Sequence, residues 1–416
     1  MRVLMLGWEF PPFISGGLGT ACYGLTQGLS QLGTEITFVL PRPIASSLAE
    51  KMSLLGLGNP GGKLKNVRFR TADVKLYPYA NPGRLVPVGA VKSNPKKQSH
   101  ASMANPGSHY AGDMFTQIQK YTDFVCDVAA EEPFDLIHAH DWMTFPAAIA
   151  AADLTGKPLV VHIHSTEKDR SGQNVNQSIY DIERHGMHRA DRVIAVSRYT
   201  QRICTEEYSV DKGKVHIVYN AIDPLWLHQN HTKDDTGQKI VLFLGRITMQ
   251  KGPEYFLFAA KRVLEVLDNV KFVMAGDGDM FYRMIDLAAH LGIGSKVLFT
   301  GFLQGNEVTK IYQMADLYVM PSVSEPFGIA PLEAISNNVP VMISKQSGVS
   351  EVLRHVLKVD FWDIDEMANK IIAVLKYSPL KKTLSQNGAF EVRKFNWTDS
   401  AKQCIDVYNS VAGRAG

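Results

Sequence analysis

The chain has 416 residues, 45% of them hydrophobic and 20% charged, and its 44 Lys+Arg against 41 Asp+Glu leave a formal charge of +3. That length exceeds what one hydrophobic core supports and predicts two or three domains, while so even a charge balance argues against nucleic acid or an anionic membrane as partner. Cys22, Cys126, Cys204 and Cys404 stand far apart and none lies in a CxxC pair, which fits a reducing, cytoplasmic setting better than a disulfide framework or a zinc knuckle.

The opening "MRVLMLGWEFPP" has an apolar run broken by Trp8 and Glu9 and lacks a small-residue cleavage site, so it reads as a first buried strand and not as a signal peptide. "PPFISGGLGTACYGL" follows as a glycine-rich loop before a helix. It fails as a dinucleotide fingerprint, because Cys22 stands where the third small residue belongs, and it lacks the GK[ST] of a Walker loop. What remains is close backbone approach to a phosphate or sugar at Gly16 and Gly17. After "EITFVL" the alternation of strands and helices stops for residues 42 to 112, where Asn-Pro-Gly occurs at Asn59, Asn81 and Asn105. This reads as turn chemistry in a surface insertion, long enough to help hold an acceptor.

The alternation resumes with "DLIHAH", "PLVVHIH", "RVIAVS" and "KVHIVYN". Residues 223–238 are polar and turn-rich and read as a linker. A second series follows: "KIVLFLG", "VKFVMAG", "KVLFTG", "DLYVMPS" and "PVMIS". Continuous Val/Ile/Leu runs between amphipathic segments mean parallel sheets covered on both faces. The expected fold is therefore α/β with two doubly wound, Rossmann-like domains, 1–222 and 239–395, facing across a cleft. Residues 396–416 are expected to form a C-terminal helix crossing back to the first domain. No stretch approaches transmembrane length.

The strand ends that would face the cleft carry the chemistry. In "SEPFGIAPLEA" the carboxylates of Glu325 and Glu333 are eight positions apart, about 12 Å if fully helical, the scale of a nucleotide sugar from hexose to ribose. Amides near Phe327, Gly328 and Ile329 would open a helix between them and favour a diphosphate. "FLGRITMQKG" places Arg246 and Lys251 at the end of a strand, suited to a diphosphate as a bidentate fork and a point charge. In "HAHDW" and "HIHST" the paired histidines share strand faces; they read as core rather than metal ligands, with only the last of each pair and Asp141 projecting into the cleft. Asp277 and Asp279 in "AGDGDM" read as helix caps.

Gly16-Gly17, "HAHDW", His164, "GR" with "QKG", and "EPFGIAPLE" together resemble the retaining glycosyltransferases of the GT-B fold, most closely the glycogen synthase-like members, over nearly the whole chain. The resemblance implies that Glu325 contacts the donor hexose and Glu333 the ribose. It implies that Arg246 and Lys251 grip the diphosphate with an amide of Gly17, and that His164 and Asp141 flank the reacting carbon and acceptor. Glu9 matches a glutamate lining the same pocket. No metal is called for, and no cofactor beyond the donor. Ile14 stands where glycogen synthases commonly carry lysine, which weakens ADP-glucose as the assumed donor and leaves UDP-glucose, or another nucleotide sugar, open. The implied acceptor is a glucan or another carbohydrate, such as a glycogen-like polymer. A transferase for a small or lipid-linked acceptor, a sugar-nucleotide epimerase and a phosphorylase are the alternatives on the same fold.

Overall fold

The computed structural model describes residues 1–11, 16–41, 64–74, 113–222 and 237–412. Ile14, most of residues 42–112 and nearly all of the linker lie outside the described residues. Two all-parallel sheets form the frame. The first takes β1 (Arg2–Leu6), β2 (Glu35–Leu40), β3 (Val67–Thr71), β4 (Leu136–His140), β5 (Leu159–Ile163), β6 (Arg192–Ala195) and β7 (Val215–Ile217) in the order β3-β2-β1-β4-β5-β6-β7. The second takes β8 (Lys239–Leu244), β9 (Val270–Ala275), β10 (Val297–Gly301), β11 (Leu317–Met320), β12 (Val341–Ser344) and β13 (Leu357–Val359) in the order β10-β9-β8-β11-β12-β13. In each sheet the order reverses beside the first strand of the series, where doubly wound folds open a crevice at the carboxyl ends of their strands.

Two strands escape the sequence reading. β3 lies inside the stretch expected to be an insertion, and β13 follows the second series; both are edge strands in which polar residues alternate with apolar ones, as "VRFRT" and "LKV". The period-two pattern of a half-covered edge is weaker than the continuous apolar run of a buried strand.

Alternation along the buried strands feeds a core on each face of the sheet. Val3 and Met5 join one cluster with Leu136, Val160 and Ile194, while Leu4 and Leu6 join another with Ile137, Val161 and Val193. The first of these clusters continues without a break into Leu242, Val273 and Tyr318 of the second sheet. The two halves thus share one apolar layer.

The C-terminal helix, Trp397–Ala412, contributes Trp397, Ala401, Cys404 and Tyr408 to that layer and packs on the first helix, Gly17–Gln31. The contact is close because Gly24 and Gly28, one turn apart, leave a groove for Trp397. A Cβ on Gly24 would stand 2.1 Å from its indole and one on Gly28 would stand 2.4 Å from its carbonyl oxygen. Gly24→Ala is therefore expected to cost about 1–3 kcal/mol, as overpacking does, and to expose the C-terminal helix to early proteolysis. Urea unfolding and limited digestion check this; an unchanged midpoint would contradict the groove.

Candidate active site

The loop after β11 runs Pro321 to Ile329 before a short helix, Ala330–Ser336. It is held as an extra strand against the loop after β12. Glu325 forms a parallel bridge with Ser347, its N–H donating to the Gln346 carbonyl at 3.0 Å and its carbonyl accepting from Gly348 at 2.9 Å. Val349 likewise donates to Phe327 at 2.8 Å. Gly328 then turns the chain at φ +101°, in the region where a side chain is strained. This corrects the expected placement of Glu333. The extended Glu325 segment and the turn at Gly328 delay the helix to Ala330, so Glu333 stands in its first turn and not two turns in.

The second constellation meets the first directly. Gly252 adopts φ +61° and lies so near the Pro321 carbonyl that a Cβ would come within 2.2 Å of its oxygen. The preceding Gln250 carbonyl accepts from Val323 at 3.0 Å. These backbone contacts carry Lys251 to Glu325, and Lys251 Nζ lies 2.5 Å from Glu325 Oε2 with both side chains largely buried. Arg246, half-buried at the end of β8, faces the opposite domain, where a Cβ on Gly16 would stand 3.9 Å from its Nε. Gly17 beside it has open space around its Cα.

Asp141 and His164 also come together. Asp141 takes φ +59°, uncommon for a residue with a side chain, and donates its N–H to the His162 carbonyl at 3.0 Å. Thr144 Oγ1 holds the turn by donating to the carbonyls of His140 and Asp141. So positioned, Asp141 Oδ1 accepts from the backbone N–H of His164 at 2.7 Å. Burial raises its pKa to about 7 against the opposing effects of that hydrogen bond and the Arg170 charge.

Behind them lies a block of four imidazoles that the sequence reading only half anticipates. His138 and His140 stack at 4.4 Å between ring centroids, and His162 and His164 at 4.2 Å. His138 Nδ1 meets the Tyr408 hydroxyl at 2.5 Å, its Nε2 meets His162 Nδ1 at 3.3 Å, and His140 Nδ1 meets His164 Nε2 at 2.9 Å. His164 is half-buried at the cleft, but His140 is fully buried, correcting the expectation that the last histidine of each pair projects. The His140 ring is covered by its neighbours, stacking on Phe38, His138 and His162. Burial above all, and then mutual repulsion within the block, hold His138, His162 and His164 neutral; burial does the same for His140.

The other expected residues are held by contacts of their own. Glu9 is buried, and its Oε2 accepts from the Gly19 N–H at 3.1 Å, capping the first helix. Glu333 accepts from the Tyr312 hydroxyl at 3.0 Å, and burial raises its pKa against that bond. Phe327 and Ile329 are buried in the shared core. Asp277 does not cap a helix: it accepts from Gly278 at 2.8 Å, while the next helix begins at Phe281.

The sequence reading misses a set of bonds between the halves beside Glu325. Ser324 Oγ donates to Asp169 Oδ1 at 2.5 Å and pairs with the Tyr199 hydroxyl at 2.9 Å. The Pro326 carbonyl accepts from Ser197 and Thr200, and Glu351 accepts from the N–H groups of Arg198 and Tyr199. One local signal was legible. Thr166 and Asp169 form a capping box, the T-x-x-D of "TEKD", although the cross-domain use of Asp169 leaves no mark in sequence.

Two parallel α/β domains bring polar strand ends to a shared cleft, and comparison with known proteins gives the family. Residues 226–389 match the model for glycosyl transferases group 1 and residues 122–225 that for glycosyltransferase family 4. The glycosyltransferase MJ1607 of Methanocaldococcus jannaschii is 30% identical over 98% of both chains. Glycogen synthase of Mycobacterium tuberculosis is 25% identical over 85% of this chain and 80% of that protein. Among solved structures, Anabaena Alr3699/HepE in complex with UDP and glucose superposes with a TM-score of 0.71 at 18% identity, over 99% of this chain and all of the other. The chain belongs to the group 1 glycosyltransferases and has their GT-B fold.

Asp141 gives the site a pH signature. A carboxyl whose pKa is raised on folding stays protonated in the native state while the unfolded chain ionises, so stability falls as pH rises from its ordinary range toward 7. Asp141→Asn keeps an acceptor for His164 but does not titrate. Urea unfolding is expected to show the wild type losing about 2–3 kcal/mol more than the variant between pH 5 and 7.5. Parallel pH profiles would refute the raised value.

Proposed function

We propose that this glycosyltransferase is a retaining hexosyltransferase moving glucose from a nucleoside diphosphate sugar, UDP-glucose or ADP-glucose, to a glucan or similar carbohydrate acceptor. One observation carries the reading: Lys251 and Glu325, 74 positions apart in sequence, share a desolvated contact at the cleft with Arg246 facing Gly16 across it. The glycogen synthase relative and the neighbour solved with UDP and glucose support the donor and acceptor classes.

In this reading the donor inserts at the Lys251–Glu325 pair. The hexose hydroxyls donate to Glu325, and the diphosphate takes Lys251, Arg246 and an amide at Gly17. As the glycosidic bond breaks, charge grows on the leaving phosphate, and fixed cations in a partly desolvated cleft stabilise it more than the ground state. The acceptor attacks from the same face while the leaving phosphate takes its proton, with Asp141 and neutral His164 flanking the reacting carbon. The two cations occupy the role a metal would play. Glu333 is placed on the ribose, and Phe327, Gly328 and Ile329 frame the phosphates.

Nucleotide release from a panel of donors, with and without glycogen, tests the function. Lys251→Ala, Arg246→Ala and Glu325→Gln are each expected to lower turnover about a hundredfold or more, with diphosphate binding nearly intact in Glu325→Gln. Arg246→Lys should not rescue, since a point charge lacks the bidentate fork. Magnesium or a chelator should change the rate little; a strict magnesium requirement would move the donor site elsewhere.

The contact adds a sharper expectation. Because Lys251 and Glu325 already satisfy each other, losing one leaves the other charge buried without its partner, and the double variant is expected to cost clearly less than the sum of the two. A double-mutant cycle in kcat/KM measures this, and strict additivity would separate the two residues functionally.

A further inference from the structure

The sequence reading gave the histidine pairs a core role, but the structure adds a fifth group. The first helix, which begins at Gly17, brings the free thiol of Cys22 against the block, and one donor atom each from Cys22, His140 and His164 lies within 4.8 Å of the others. A second grouping, His138 with His140 and His162, is equally compact, yet both nitrogens of His138 are already engaged by Tyr408 and His162. In the Cys22 group, His140 Nδ1 and His164 Nε2 meet each other, and His140 Nε2 and His164 Nδ1 are buried without a partner among the described residues, His140 being itself fully buried. A thiol within reach of two imidazoles that each keep a spare buried nitrogen is a set of donors a soft cation can take.

We propose that Cys22, His140 and His164 bind a borderline-soft divalent cation of the zinc type, and that the bound ion withdraws His164 from the hexose pocket and so inhibits transfer. Zinc bonds of roughly 2.0–2.3 Å require tetrahedral donors to approach within about 3.3–3.8 Å, so the three close on an ion by shifts of about an ångström. The imidazoles are held neutral and need lose no proton to ligate. The thiol must lose one to solvent as the sulfur–metal bond forms, which its burial resists in the absence of an ion. His164 is half-buried at the cleft and supplies the way in. Magnesium, an oxygen-seeking ion, does not fit such a set.

The binding half stands independently; the inhibitory half rests on the placement of His164 at the hexose. Cobalt(II) added to the metal-free full chain is expected to give a near-ultraviolet thiolate-to-cobalt charge-transfer band at one equivalent, displaced by zinc. The band should survive in Cys126→Ser and vanish in Cys22→Ser, or in Cys22→Ala should the serine variant fail to fold, with affinity reduced at least about tenfold. No band in the wild type, or an unchanged band in both Cys22 variants, would overturn the site. Stoichiometric zinc should lower nucleotide release at least about tenfold and a chelator restore it, while the Cys22 variant, compared with its own metal-free rate, resists. Undiminished release from loaded protein would overturn the inhibition. A band in a protein that releases nucleotide from no donor would count against the transfer reading and support the site.

Discussion

A single buried charge pair, Lys251 with Glu325, organises the cleft. Neither group could be left in so dry a place alone, and each reaches the other only because two loops are fixed in register: the Gly252 turn pressed on Pro321, and the Glu325 segment paired with Ser347. The geometry of this pair is thus set by backbone contacts alone. The electrostatic work of preorganisation is done during folding, when the loops are tethered, and not at the moment of reaction.

The same logic extends across the halves. Ser324 on Asp169, Pro326 under Ser197 and Thr200, and Glu351 on the amides of Arg198 and Tyr199 tie the Glu325 loop to the first domain. Gly348 tightens the contact, since a Cβ there would stand 2.2 Å from the Pro326 carbonyl oxygen and 2.5 Å from Ser197 Cβ. The Glu325 loop therefore also fastens the two domains, so that the placement of Glu325 and the angle between the sheets are one mechanical problem.

The frame was legible because buried parallel strands announce themselves as unbroken apolar runs; β3 and β13, half-covered at the edges, do not. Motifs at strand ends were legible as residue types, which is how Arg246, Lys251, Glu325, Asp141 and His164 were singled out, and the structure brings Lys251 to Glu325 and Asp141 to His164. Their partners were harder. Nothing in "TEKDR" marks Asp169 as reaching Ser324, 155 positions away, and alternate histidines on adjacent strands give no hint that all four rings stack. Glu333 was misplaced by half a helix because a positive-φ glycine and a bridge to a distant loop outweighed local helical spacing. Pattern reads what a residue is surrounded by along the chain; it does not read what closes over it.

The C-terminal helix brings one further consequence. Trp397 fills the groove made by Gly24 and Gly28, and the Tyr408 hydroxyl meets the buried His138 imidazole, so the first domain's core takes its last pieces from the end of the chain. During synthesis the first sheet can pair its strands as they emerge, but the Nδ1 of its central His138 lacks the Tyr408 hydroxyl until residue 408 has left the ribosome. Assembly of this enzyme is in that sense circular: the half made first is finished last.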